Sequence, residues 1–358
     1  MDAIDFQKET LGINDFIESS KSFIDENFGN NIDVKSVYDN LLNGEFGGLL
    51  DILNVENILE KEFSNIFPVV GIVLIIICIN SLFKSILESL NNSSASQNLY
   101  FVQYLLISTL LINAFMPILE MTKNTITSLI GFMNLYIPVL ILLIITTGNF
   151  VTSSAIEPVL LIMIEVIGNI VINIIIPFLL VSIVISIVAN FSNKIKLDRI
   201  SSLFKSGIVW SLGVILTIFI TVLSFESNLT SSVDGLAGKT TKAAVSGLIP
   251  VVGKIMGDSV DSVIGSVNVL KNAIGTFGTI VIILIVLIPT LKIICYYFLF
   301  KLTAAVSEMC ADERIVKLLD SISDSYKILL GILCSITIMF IIGTAIIVKV
   351  TNMSLMYR

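Results

Sequence analysis

The chain has 358 residues, 55% of them hydrophobic and 14% charged, with 28 acids against 21 bases and a net charge of −7. Soluble domains carry ~25% charged residues, so this composition, with a mean hydropathy of +0.97, excludes an ordinary soluble domain and points to a polytopic membrane protein. Histidine is absent, which removes the commonest general base and metal ligand, and with it zinc-protease motifs and any Ser-His-Asp arrangement.

Residues 1–62 hold 14 acids and 4 bases, net −10, while the remainder is net +3. Phe16, Ile17, Phe23 and Ile24 recur at helical spacing, and so do Val34, Val37, Leu41 and Leu42. Gly29-Asn30-Asn31, Gly44 and Gly47-Gly48 punctuate them. This predicts a small soluble helical region, too short for a sizeable core of its own, packed on the bundle or on a partner. Its acidity disfavours nucleic acid and anionic headgroups. Met1-Asp2-Ala3-Ile4-Asp5 is acidic where a signal peptide is basic. The expectation is either a leader outside this numbering or a tail that crosses without one.

From residue 63 the apolar stretches take over. Phe63–Phe83, Leu99–Leu119 and Ile126–Thr147 are free of charge for about a membrane's depth. Ala155–Phe191 then runs 37 residues with only Glu157 and Glu165 charged. At ~1.5 Å rise per residue that is about 56 Å of helix against a ~30 Å hydrocarbon core. The reading is two short spans turning near Asn173–Pro177. Ser206–Phe225, Phe277–Leu291 and Ile328–Val348 complete about eight spans. Lipid-exposed backbone must satisfy its own hydrogen bonds, so these are helices, and the short alternating strands of a barrel are absent.

Orientation follows from the loop at 193–205, where Lys194, Lys196, Arg199 and Lys205 face only Asp198. Basic loops stay inside. With eight spans both termini, the acidic region and 226–276 fall outside. The 300–327 loop, with Lys301, Arg314, Lys317 and Lys327, falls inside. The expected units are therefore 1–62, an extracytoplasmic acidic helical region; 63–225, the first six spans; 226–276, an extracytoplasmic Gly/Ser-rich amphipathic or re-entrant segment; and 277–358, the last two spans.

Within 226–276, Pro250 suits a helix start. Beyond it Val252, Met256, Val260, Val263, Val267, Leu270 and Ile274 share one face, with Lys254, Asp258, Asp261, Asn268 and Lys271 on or near the other. Such a helix lies at an interface or lines an aqueous cavity of an assembly. Lys254, Asp258, Asp261 and Lys271 are the candidate pore or assembly stripe. Glu165, Asn169 and Asn173 form an i, i+4, i+8 stripe read as polar contacts within the bundle.

Several motifs fail on inspection. Gly235 to Thr241 superficially resembles a phosphate loop, but its first glycine would have to stand at Val233. Pro68-Val69-Val70-Gly71 recurs as Pro250-Val251-Val252-Gly253, which is thin support for transporter repeats. Gly253 and Gly257 make one G-x-x-x-G, a common motif. The cysteines, Cys78, Cys295, Cys310 and Cys334, form no C-x-x-C, and three lie in apolar stretches as small hydrophobes. No reactive constellation, metal site or cofactor site is expected, so the chain is not read as an enzyme.

An ordered string of residues is more specific. It comprises Ser232-Val233-Asp234-Gly235, Lys239 to Ser246, Ile249 to Lys254, Asp258 to Gly265, Leu270 to Ala273 and Ala311 to Val316. Together these resemble the stage III sporulation protein AE family of endospore-forming bacteria, over roughly residues 60–350. The resemblance implies a multi-pass component of the channel complex between mother cell and forespore. It implies a site in the mother-cell-derived membrane around the forespore and partners among the membrane proteins of the same complex. It brings no catalytic residues.

The sequence therefore predicts an all-α polytopic membrane bundle, homo-oligomeric, serving as membrane base or conduit of a secretion-like assembly. An independent secondary transporter is the competing reading.

Overall fold

A computed structural model describes residues 12–28, 34–42, 55–89, 93–147, 149–191, 198–248 and 252–356. All regular structure among the described residues is helical. Two short helices, α1 (Ile13–Phe28) and α2 (Val34–Leu42), precede α3 (Val55–Ser89) and α4 (Ser93–Thr146). Then come α5 (Phe150–Ile170), a π-helical turn (Val171–Ile175) and α6 (Ile176–Phe191). The chain ends in α7 (Asp198–Leu248), α8 (Val252–Ser307) and α9 (Glu313–Met356).

Six stretches among the described residues are long and apolar enough to cross a membrane: 63–87, 95–146, 150–191, 199–226, 267–307 and 313–349. The expected count of eight is not confirmed. The stretch 99–119 continues without a break into 126–147, because Glu120 and Lys123 pair at i, i+3 on the surface of one helix, 3.9 Å apart. The expected turn near Asn173–Pro177 is also absent, and α5 and α6 form one rod. Pro177 has no N–H and its ring crowds the carbonyl four residues back. The π turn widens the backbone at that point, with the Ile176 N–H bonding the Val171 carbonyl. The helix absorbs the proline instead of breaking.

α9 is the central rod, packed against α8, α7, α6 and α4. α4 and α5–α6 run antiparallel. The Tyr104 hydroxyl donates to the Ile187 carbonyl at one end (2.5 Å). Asn134 meets Glu165 farther along, and Thr147 meets Asn149 where the two helices join. α3 and α7, the two shortest spans at 25 and 28 residues, are also the least buried. Their outward faces carry Phe67, Ile75, Leu82, Leu203, Val209 and Trp210. One hydrophobic core joins α1, α2 and the long helices, and a small second cluster (Ile66, Val70, Cys295, Leu299) seats α3 on α8. Gly278 permits one close approach. A β-carbon there would lie 2.3 Å from the Tyr136 ring.

Candidate functional site

The rods leave three polar or capped regions along the bundle. The first is the end where 84–104, 187–205 and 301–327 converge, here the basal end. Lys84 at the end of α3 pairs with Asp312, just before α9. The Arg314 guanidinium lies over the Tyr100 ring, 5.1 Å from its centroid. Tyr100 in turn donates to the Asn190 carbonyl (3.1 Å). Lys205 donates to the carbonyl and hydroxyl oxygens of Ser321 (2.7 and 2.8 Å), and Lys301 pairs with Asp320 (2.7 Å). Buried Ser182 and Ser186 bond Ser201 across the α6–α7 turn, and Asn80 donates to Gln103 between α3 and α4. The charge-assisted contacts tie α3, α4, α7 and α8 to α9, and neutral hydrogen bonds tie in α6. In the sequence Lys205, Lys301 and Arg314 are a loop signal, and neither their role in joining helices nor Lys84 is evident there. The available signal was the i, i+8 and i, i+12 spacing of Asp312, Asp320 and Asp324, with Arg314 and Lys317 between the first two.

The second region is the polar stripe. Glu165 Oε1 accepts from Asn134 Nδ2 at 2.7 Å, a contact between α5 and α4. Asn173 donates to Asn169 along the same helix. All four side chains are exposed on the outer face of the hairpin. The stripe starts beside Asn134 and ends in the π turn, which contains Asn173. π turns inside α-helices are frequent at functional sites.

The third region is the cap formed by α1 and α2. Ile13, Phe16, Ile17, Ile24, Val37 and Tyr38 are buried against the bundle. Phe16 reaches Phe132, Tyr136 and Phe277, with centroids 6.2, 5.9 and 5.8 Å away, and Tyr38 meets Phe277 edge-on at 5.6 Å. Burial pushes the Tyr38 hydroxyl above the ordinary phenol range, and the Asp39 carboxylate adds to the push. The outward face of α1 carries Asp15, Glu18 and Lys21, so α1 is an amphipathic helix with its wet side turned away.

Of the expected pore or assembly stripe, Lys271 is fully buried, in line with buried Val267, Leu270 and Ile274 on α8. It does not face water on this chain. The side chains of Lys254, Asp258 and Asp261 lie outside the described residues, although their backbone belongs to α8. Cys295 is buried as a small hydrophobe, whereas Cys78 faces outward. No group of three or more acids and cysteines suited to a metal ion occurs among the described residues.

A family model described as stage III sporulation protein AE matches residues 32–351. The stage III sporulation protein AE of Bacillus subtilis (strain 168) is 27% identical over 340 residues, 91% of this chain and 85% of that protein. No solved structure matches.

Proposed function

Because the chain belongs to the stage III sporulation protein AE family, we propose that it is a multi-pass membrane component of the channel complex between mother cell and forespore, needed during endospore formation. It acts there as membrane base or conduit, as a homo-oligomer beside other membrane proteins of the complex. The observation that carries the reading is that six membrane-length helices fall inside a family match covering 32–351.

The bilayer slab is set by α3 and α7. They are the least buried spans, and their 25 and 28 residues correspond to about 38 and 42 Å, the depth of a bilayer with its interfaces. The basal end, rich in Lys and Arg, faces the mother-cell cytoplasm. The capped end and both termini then face the space around the forespore.

Sporulation counts after deletion and complementation test the role; a normal spore yield without the protein overturns it. Labelling from outside tests the sidedness. A cysteine at residue 240 should react and one at 198 should not. Asp258→Lys with Asp261→Lys should impair sporulation while the protein stays in the membrane. Solute uptake by the purified protein alone, lost on Glu165→Ala, would instead favour a transporter.

A further inference from the structure

α1 packs into a groove walled by α2, α4 and α8. Its buried positions, Ile13, Phe16, Ile17, Ser20 and Ile24, recur at i, i+3, i+4, i+7 and i+11, which is one face of a helix. Three features of this contact bear on how α1 is held.

The first is the place of Phe16. Its ring lies against Phe132 and Tyr136 of α4, with centroids 6.2 and 5.9 Å away, and against Phe277 of α8 at 5.8 Å. One side chain of α1 thus bridges the seam between two long helices.

The second is the place of Tyr136. Its ring is buried in that seam and stacked on Phe132 at 5.5 Å. Its hydroxyl donates to the Gly275 carbonyl of α8 at 3.4 Å. The ring lies so close to the α8 backbone that a β-carbon on Gly278 would fall 2.3 Å from it. Of these neighbours, Phe132 and Gly278 belong to the long helices and Phe16 belongs to α1.

The third is unequal anchoring. α4 and α8 have 54 and 56 residues. α1 has 16 and joins the bundle through one face. Local opening starts at the least anchored element. Pressure of α8 on the ring is therefore relieved by release of α1, not by parting α4 from α8.

We infer that α1 is a latch on the α4–α8 seam. It is docked while the Tyr136 ring lies against Gly278. A shift of α8 toward α4 at that point drives the ring into Phe16 and releases α1. The coupling is reciprocal, so undocking of α1 frees the ring and lets α8 close on α4. The backbone of Lys254, Asp258 and Asp261 belongs to α8, so movement of the helix that carries them reaches the cap. The latch needs no partner chain and does not rest on the sporulation role.

Hydrogen exchange by mass spectrometry on the full chain in detergent tests it. Gly278→Ala places a methyl where the ring lies. It should speed exchange of peptides of 13–28 by about tenfold or more, the factor that one overpacked methyl carries, while peptides of 198–205 and 313–326 hold. Gly275→Ala is the control. Its β-carbon meets Val348 of α9 at 2.8 Å, so it strains α8 against a different helix and should leave 13–28 within about twofold. Phe16→Leu gives the ring room. In that background Gly278→Ala should add less than about threefold. If Gly278→Ala alone prevents folding, Phe16→Leu should restore the folded chain, and failure to restore it overturns the inference. Unchanged exchange of 13–28 in Gly278→Ala overturns it as well. So does equal acceleration at the basal end or in Gly275→Ala, because the loosening is then general. So does additivity of Phe16→Leu and Gly278→Ala, because the ring is then not the link.

Discussion

Phe16→Ala is the sharpest test of how the cap is held. Phe16 is 2% exposed and touches three aromatic rings, Phe132, Tyr136 and Phe277. Truncating a buried phenylalanine costs about 3–5 kcal/mol, the sum of lost transfer energy and the cavity left behind. The site cannot collapse easily, because Phe132 and Tyr136 are already stacked on each other at 5.5 Å, so the upper half of that range applies. The cost falls on a local unit. α1 has 16 residues and joins the bundle through one face, so it opens before the long helices do. At 1.4 kcal/mol per tenfold, a 4 kcal/mol loss raises the open population of α1 by roughly 700-fold. Hydrogen exchange read by mass spectrometry should show peptides of 13–28 exchanging faster by about that factor, up to the unprotected rate. Peptides of α6 and the basal half of α9 should hold. Phe16→Leu, which keeps most of the volume, should cost less than about 1.5 kcal/mol. A change below tenfold in 13–28, or equal loss at the basal end, would refute the reasoning.

Four further outcomes follow from the packing. Gly278→Ala should lower the melting midpoint in detergent by the equivalent of about 1–3 kcal/mol, because its β-carbon meets the Tyr136 ring at 2.3 Å and that ring is hemmed in by Phe16 and Phe132. Gly168→Ala should cost less, since its β-carbon meets one flexible side chain, Ile130, with Cδ1 at 2.1 Å and Cγ1 at 3.1 Å; equal losses would show that the ring gives way. Lys205→Met should cost about 1.5–3 kcal/mol through the two bonds to Ser321. Asp312→Asn, acting on a pair that is 37% and 29% exposed, should cost less than about 1 kcal/mol; the reverse order of melting shifts would undo the ranking.

Much of this fold was legible in the chain. The paucity of charge gave a helical membrane bundle, and the 3.6-residue spacing of Phe16, Ile17, Phe23 and Ile24 gave α1. What failed was the use of bilayer thickness as a ruler. It divided 155–191 because one helix of that length exceeds a membrane, yet α5, the π turn and α6 are one rod. It divided α4 at Glu120 and Lys123 because charges end spans, yet there they are a solvated pair on a helix that continues. Apolar length measures burial, and burial here is supplied by neighbouring helices as well as by lipid. The basal contacts were hidden for a different reason. Lys84 and Asp312 are 228 residues apart, and nothing local in a sequence marks such a pair.

The lower span count leaves the argument for the proposed sidedness unchanged, for a reason of parity. Two expected spans merge in α4 and two more in α5–α6, so each merger removes one crossing and the total falls by an even number. The segment 193–205 still lies an odd number of crossings from the N-terminus, as the basic residues required. The height of Glu165 changes its meaning, however. Its partner Asn134 sits between Phe132 and Tyr136 on α4, the two rings on which α1 docks. α1 turns Asp15 and Glu18 outward at that height, and a helix so charged needs water beside it. The Glu165 carboxylate therefore lies at the height of that charged face. The stripe descends from Glu165 through Asn169 to Asn173, toward the slab. At its lower end Asn173 stands exposed beside Ile174 within the π turn, with its amide bonded back to Asn169.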